Sequence, residues 1–430
     1  MPSSPPRANL NLSRLVEKTL HGLSPIQTIM KMAEERTIVQ MGLDPDQVIS
    51  FGGGWCNHHA PDALRQIYQL LADDERLFHQ TGRYSAIMGE YSCREQLCAL
   101  EQTVYHMGSL HPENILLGQS STQLLHDLLR TLLNPGESVC VLDPTYANYG
   151  NAIRCALPGS SLRFLPALAT ESWEYLPDPD NTLETLKNYC KQGVRVLVIP
   201  VPDNPTSQIP SDGFLKTARE ILEDHHGFLV LDHAYKALWF GGRMPDCFSW
   251  SPVDYPHLVT LHSNSKWLSS LGRRLGWVEA DETFIGGLEK LNESVLLSPD
   301  TFHSRATALF LERTLNDGRL QSYIDETRHL YETTASVMLR AIDDHLAWKR
   351  LQPQGGLYTC CPTPQAKDPN LFVKEILKAT GVLLIPGTGF GPSMNHAVRL
   401  SYGPLCYNHD LIREGIERIG RYLNGYPTKE

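Results

Sequence analysis

Two rhythms of apolar residues alternate through the middle of the chain. Short, strongly apolar runs stand at 115–117, 138–142, 194–199, 228–231 and 257–261. Between them, 122–133 and 214–223 carry apolar residues at the spacing of a helix face. Apolar runs bounded by turns predict buried strands. Strands alternating with helices predict a mainly parallel sheet covered on both faces. In such a sheet ligands settle beyond the carboxyl ends of the strands. The residues after each run are therefore the ones that can carry chemistry.

Ahead of this region, 23–41 has helical spacing through Ile26, Met30, Met32 and Ile38, opened by Ser24-Pro25. Val48-Ile49-Ser50-Phe51 predicts a short strand running into Gly52-Gly53-Gly54, and 61–72 a helix. From 281 to 344 the pattern is largely helical. Beyond Trp348, strands are predicted at 356–359, 382–385 and 397–401, followed by an amphipathic helix over 410–423. The predicted organisation is a loose arm over 1–22 and a large α/β domain over 76–330. A smaller α+β domain draws on 23–75 and 331–430. No internal repeat is evident.

Composition narrows the class. The chain has 430 residues, 41% hydrophobic and 20% charged, enough for more than one domain of ordinary size. A net charge of −10 argues against nucleic-acid or anionic-membrane binding by bulk charge. No apolar run reaches transmembrane length, and the first residues carry no apolar signal segment. A cytoplasmic protein without a membrane partner is expected. Ten cysteines are scattered with no Cys-x-x-Cys pair, which signals neither a zinc site nor a redox dithiol.

The run 257–261 leads into Ser263-Asn264-Ser265-Lys266, and Gly272-Arg273-Arg274-Leu275-Gly276 follows. A lysine at the end of a buried strand is desolvated, so its pKa falls and its amine becomes nucleophilic, as an imine-forming lysine requires. Arg274 is a permanent cation suited to a phosphate. Together they point to pyridoxal phosphate held as a Schiff base. On these residues alone, a surface lysine in a Ser/Gly loop is the alternative.

The other strand ends change that balance. Gly118-Gln119-Ser120-Ser121-Thr122 opens a helix, where backbone N–H groups and hydroxyls can cradle a phosphate. Tyr146, in Asp143-Pro144-Thr145-Tyr146, can stack on a cofactor ring. Asn204 precedes a proline, is held extended, and can aim its amide. Asp232 is costly to bury without a cation, and a pyridinium N–H would be one. Tyr235 can hydrogen-bond a ring hydroxyl. Taken singly, each also fits a helix cap, a rim tyrosine, a turn asparagine or a capping aspartate. Five strand ends each offering one part of one site are harder to explain that way.

From about Phe51 onward the chain resembles the fold-type I pyridoxal-phosphate enzymes. The similarity is to the class I/II aminotransferase family, aspartate aminotransferase-like, which includes the 1-aminocyclopropane-1-carboxylate synthases. The resemblance rests on Tyr84-x4-Gly89-x4-Arg94, Asp143-Pro-Thr-Tyr146, Asn204-Pro-Thr, Asp232-x-x-Tyr235, Ser263-x-Ser265-Lys266 with Arg274 and Gly276, and Arg399-Leu-Ser. It implies a mainly parallel, seven-stranded-type central sheet in a three-layer α/β/α domain. It implies that Lys266 forms the Schiff base and shuttles the proton, and that Asp232 pairs with the pyridine nitrogen. Asn204 and Tyr235 would contact the ring oxygen, and Tyr146 would stack on the ring. Ser120, Ser121, Thr122, Ser263, Ser265 and Arg274 would form the phosphate side. Tyr84 would reach the phosphate of a neighbouring subunit, giving a homodimer with shared sites. Arg399 would grip the substrate α-carboxylate, with Gly52 and Gly54 lining that side.

The chain departs from the pattern in the glycine loop, Gly52-Gly53-Gly54-Trp55-Cys56-Asn57-His58-His59-Ala60-Pro61. Trp55, Asn57 and His58 are thus candidates for an unusual substrate contact or an added acid/base step. No carboxylate or cysteine set accompanies the paired histidines, so no metal is expected. Ser120 stands where glycine is common, and Asn204-Pro205-Thr206 runs into Ser207 instead of glycine. The expected activity is an aminotransferase acting on an α-amino acid and a 2-oxo acid. The alternative is a biosynthetic lyase, cyclase or C–C bond-forming enzyme, including γ-elimination from S-adenosylmethionine.

Overall fold

A computed structural model describes Ser13, Val16 and residues 24–425. The rest of the predicted arm over 1–22 lies outside the described residues. Seven strands make the central sheet: β1 (Ile115–Gly118), β2 (Ser138–Asp143), β3 (Ser161–Pro166), β4 (Val194–Pro200), β5 (Phe228–Asp232), β6 (Leu258–Ser263) and β7 (Gly276–Glu279). Their order is β1-β7-β6-β5-β4-β2-β3. Strands β2 to β6 are mutually parallel, and β7 runs antiparallel to both β6 and β1. Side chains alternate across each strand, so both faces must be covered. Along β4, Leu197 and Ile199 pack in one apolar cluster with Leu222 and Phe248, and Val196 and Val198 in another with Leu125 and Leu128. This two-sided burial is why the runs are continuously apolar.

A second, three-stranded antiparallel sheet contains β8 (Tyr358–Pro362), β9 (Ile385–Pro386) and β10 (Ala397–Ser401) in the order β8-β10-β9. Helices Arg319–His345 and His409–Leu423 contribute Tyr331, Met338, Ile412 and Ile416 to the apolar cluster that also holds Leu357, Tyr358 and Val398.

Four elements differ from expectation. β3 and β7 carry no predicted strand. β3 is an edge strand with most of its residues partly or fully exposed. β7 is short and holds a buried glutamate, Glu279, which accepts from Thr260 Oγ1 (2.9 Å) and Trp277 Nε1 (2.9 Å) and faces His262 Nε2 at 3.2 Å. The predicted helix 23–41 is two helices, Pro25–Met32 and Glu35–Gln40, broken at Ala33-Glu34. The predicted strand 382–385 divides: Val382–Leu383 pairs with Ile49–Ser50, and Ile385–Pro386 joins the three-stranded sheet. Beside Glu279 the buried Lys236 ammonium is ion-paired with Glu101. Among the described residues, no helix is long and apolar enough to cross a membrane. All ten cysteines are free.

Candidate active site

β6 ends on Ser263, whose hydroxyl accepts from the Ser265 N–H (3.1 Å) and caps the single turn Asn264–Trp267. That turn sends Lys266 toward the glycine loop, where Nζ donates to the Gly54 carbonyl at 2.5 Å. Burial lowers the amine's pKa to about 8, and the positive charges of Arg399 and Arg274 add to the effect. The nucleophilic, unprotonated fraction at neutral pH is raised accordingly. Cys56 Sγ lies 3.2 Å from the Lys266 carbonyl, so the loop also grips the lysine from behind.

Asp232 closes β5. Its carboxylate accepts from Tyr149 Oη (2.8 Å) and from the Ala234 N–H (3.0 Å). Among the described residues it has no ion-pair partner. Burial holds its pKa above the usual carboxylate range, against those two hydrogen bonds. A buried carboxylate with donors but no cation is a fitted seat for a protonated ring nitrogen.

Arg399, in β10, is buried at the opposite wall. Nη1 donates to Asn204 Oδ1 (3.1 Å) and Nη2 to the Gly52 carbonyl (2.9 Å), while Nε has no partner. Its guanidinium lies 4.4 Å from the Tyr358 ring centre and 5.0 Å from that of Phe390. A Cβ added to Gly54 would meet Tyr358 Oη at 3.3 Å and Arg399 Nη2 at 4.0 Å, so Gly54 keeps this corner open.

The residues expected to face a phosphate lie around the start of helix Ser121–Leu132. Ser120, its N-cap, makes no side-chain capping bond and has φ 156°, a conformation that glycine adopts more easily. Gly276 permits the close approach of β7: a Cβ there would stand 2.7 Å from the His262 carbonyl and 2.9 Å from Ser120 C and Ser121 N. Ser263 and Ser265 hydroxyls lie 2.8 Å apart, both buried. Arg274 is exposed, donates only to the Leu271 carbonyl (2.7 Å), and has no carboxylate partner among the described residues. Thr122 sits in the first turn of the same helix. Tyr146 is half-buried at the rim, edge-on to Tyr149 with ring centres 5.4 Å apart.

The loop residues separate. Trp55 is 44% exposed, and its ring folds back over Gly53, where an added Cβ would meet it at 2.6 Å. Asn57 is spent on the backbone, its Nδ2 donating to the Pro404 carbonyl (3.1 Å). His58 is buried. Its Nδ1 lies 2.9 Å from Tyr331 Oη, and its Nε2 2.9 Å from Tyr323 Oη and 3.2 Å from the Trp267 carbonyl. Both ring nitrogens are engaged inside the protein, which leaves none for a substrate. Tyr84 is 84% exposed.

Two residues of this site escape sequence reasoning. Tyr149, the donor to Asp232, stands one helical turn after Tyr146, and that spacing is its only signal. Tyr358 lies 2.6 Å from Tyr235, hydroxyl to hydroxyl, and has no local signal because its partner is 123 residues away.

A family model for aminotransferase class I and II matches residues 47–419. The aspartate/prephenate aminotransferase of Thermus thermophilus is 24% identical over 410 residues, covering 95% of this chain and 99% of its own. The aromatic-amino-acid aminotransferase 2 of Thermococcus litoralis is 23% identical, covering 93% and 98%. Among solved structures, a Thermus thermophilus aspartate aminotransferase mutant superposes with a TM-score of 0.81 at 23% identity, covering 96% of this chain and 99% of that one. At that identity the superposition establishes the shared fold.

Proposed function

The chain belongs to the aminotransferase class I and II family, and from that premise we propose which of its residues carry the reaction. It is an aminotransferase of the pyridoxal-phosphate-dependent transferases, and its cofactor is pyridoxal 5′-phosphate. The residues fit that group. Asp232 is a buried carboxylate with no cation at ion-pairing distance among the described residues, Arg274 a cation with no carboxylate partner, and Lys266 a buried amine within electrostatic reach of both. That juxtaposition carries the proposal.

When bound, the cofactor supplies an electron sink that makes the substrate's Cα–H acidic. In this reading Asp232, braced by Tyr149, keeps the ring nitrogen protonated. Tyr235 and Asn204 would hold the ring oxygen, and Tyr146 would stack on the ring. Ser120, Ser121, Thr122, Ser263, Ser265 and Arg274 hold the phosphate. Lys266 Nζ would hold the cofactor and move the proton at the substrate's Cα. Arg399 orients the substrate by its α-carboxylate, with Gly54 and Trp55 beside it. The substrate is a polar or aromatic α-amino acid, and a 2-oxo acid takes the amino group. His58 is left out of the chemistry because its ring nitrogens are both engaged. The lyase or cyclase alternative thereby loses one of the loop residues that motivated it.

A homodimer follows from the same reading. The nearly full exposure of Tyr84 supports its reaching a neighbouring subunit's phosphate site. The ten free cysteines suit a reducing cytoplasm.

The test is a half-reaction screen on purified holoenzyme. An amino acid alone should convert the bound cofactor's visible absorbance to that of its amine form, and a 2-oxo acid should restore it. Release of a leaving group with no conversion by any amino acid would overturn the aminotransferase reading. A Lys266→Ala protein that kept a borohydride-sensitive band would overturn the lysine assignment.

A further inference from the structure

Tyr358 has no role in the reading above, yet its hydroxyl stands at the centre of the site. The residue is fully buried in β8. Its N–H donates to Ser207 Oγ (3.0 Å), which fixes the strand there. Its hydroxyl is 2.6 Å from that of Tyr235, with the two rings edge-on, 5.9 Å and 80° apart. Among the described residues, each hydroxyl has only the other as partner. Gly54 leaves the space beside it open, and the Arg399 guanidinium covers its ring face at 4.4 Å.

Two phenols in contact share one proton between them and leave the second free. Which phenol keeps the free proton depends on which is the stronger acid. Burial pushes both pKa values up, and the Arg399 charge opposes that push at both; it lies directly over the Tyr358 ring and weighs less on Tyr235, so Tyr358 is the better donor. Tyr358 then donates to Tyr235, and the Tyr235 proton points into the pocket.

We propose that Tyr358 is a positioning residue of this aminotransferase. Its hydroxyl donates to Tyr235 and commits the Tyr235 proton to the cofactor's ring oxygen, while its ring supports the guanidinium that grips the substrate carboxylate. One side chain therefore joins the carboxylate clamp to the ring oxygen. A carboxylate that settles on Arg399 offsets the charge over Tyr358, and Tyr235 feels the change. The inference rests on the assignment of Tyr235 and Arg399 made above.

A donor at the ring oxygen stabilises negative charge there and loosens the hold on the neighbouring proton at the Lys266 linkage. Weakening that donor raises the pH at which the visible band of the holoenzyme titrates. The experiment compares this midpoint in wild type, Tyr358→Phe, Tyr235→Phe and the double variant. Loss of one supporting hydrogen bond should raise the Tyr358→Phe midpoint by roughly half a pH unit. Tyr235→Phe should raise it further, and the double variant should match Tyr235→Phe, since Tyr358 acts through Tyr235. A wild-type midpoint in Tyr358→Phe, or a double variant showing the full sum, overturns the proposal. Ser207→Ala is the packing control: it loosens the same strand, keeps both hydroxyls, and should titrate like wild type. Equal shifts in Ser207→Ala and Tyr358→Phe would also overturn it. A wild-type protein with no borohydride-sensitive band would defeat the cofactor assignment itself. A normal band with an unmoved Tyr358→Phe midpoint would defeat this inference alone.

Discussion

His58 offers a sharp test of how the glycine loop is built. The Tyr331 hydroxyl receives the N–H groups of Asn57 (3.1 Å) and His58 (3.3 Å), so its own proton is directed to His58 Nδ1. Nε2–H then serves Tyr323 Oη and the Trp267 carbonyl. The arrangement satisfies a neutral imidazole and has no acceptor for a second ring proton. Burial accordingly lowers the His58 pKa from 6.5 to about 4. Between those values the unfolded chain holds a proton that the folded chain does not, so stability falls as pH drops from about 6.5 to about 4. At about 1.4 kcal/mol per unit the loss reaches about 3 kcal/mol. His58→Gln removes this titration. At pH 7 the variant should be less stable by about 2 kcal/mol, because one amide cannot serve both tyrosines. The two stability curves should therefore converge on acidification and cross near about pH 5. Urea denaturation of the apoproteins, followed by tryptophan fluorescence from pH 7 to 4.5, measures the gap. The apo form keeps cofactor linkage out of the comparison. A gap that stays constant over that range would refute the buried neutral imidazole.

Arg399→Ala should lower kcat/KM for α-carboxylate substrates by about 2–5 kcal/mol while the holoenzyme keeps its visible band; unchanged kinetics would remove Arg399 from the clamp. Gly276→Ala would press a methyl group on the backbone of His262, Ser120 and Ser121. Apoprotein titrated with pyridoxal phosphate should bind at least about tenfold more weakly, and wild-type affinity would show the cradle is not limited by this approach. Glu101→Gln leaves the buried Lys236 ammonium without its paired carboxylate. Apoprotein unfolding should show a loss of about 3–5 kcal/mol, and a neutral effect would mean that Glu279 and Tyr105 suffice to hold the charge.

Five of the seven central strands, and the candidate site residues that follow them, are readable from the amino-acid sequence. β4, β5 and β6 are legible because two-sided burial forces continuous apolar runs. Asn204, Asp232 and Lys266 are legible because a parallel sheet brings its carboxyl ends to one edge. β3 and β7 were hidden. An exposed edge strand and a short strand ending on Glu279 do not carry the apolar signal, and only cross-strand pairing reveals them. The break at Ala33 was hidden as well, since an apolar period continues across two helices as easily as along one. Tertiary structure alone decided the neighbours. His58 looks available for chemistry in the loop sequence, yet Tyr323 and Tyr331 arrive from a helix more than 260 residues onward and bury it. Tyr149 reaches Asp232 across 83 residues, and Tyr358 reaches Tyr235 across 123. Spacing along a chain reports which face of an element a residue occupies. Hydrogen-bond partners and desolvation depend on what packs against that face, and that is set only when the sheets and helices close on one another.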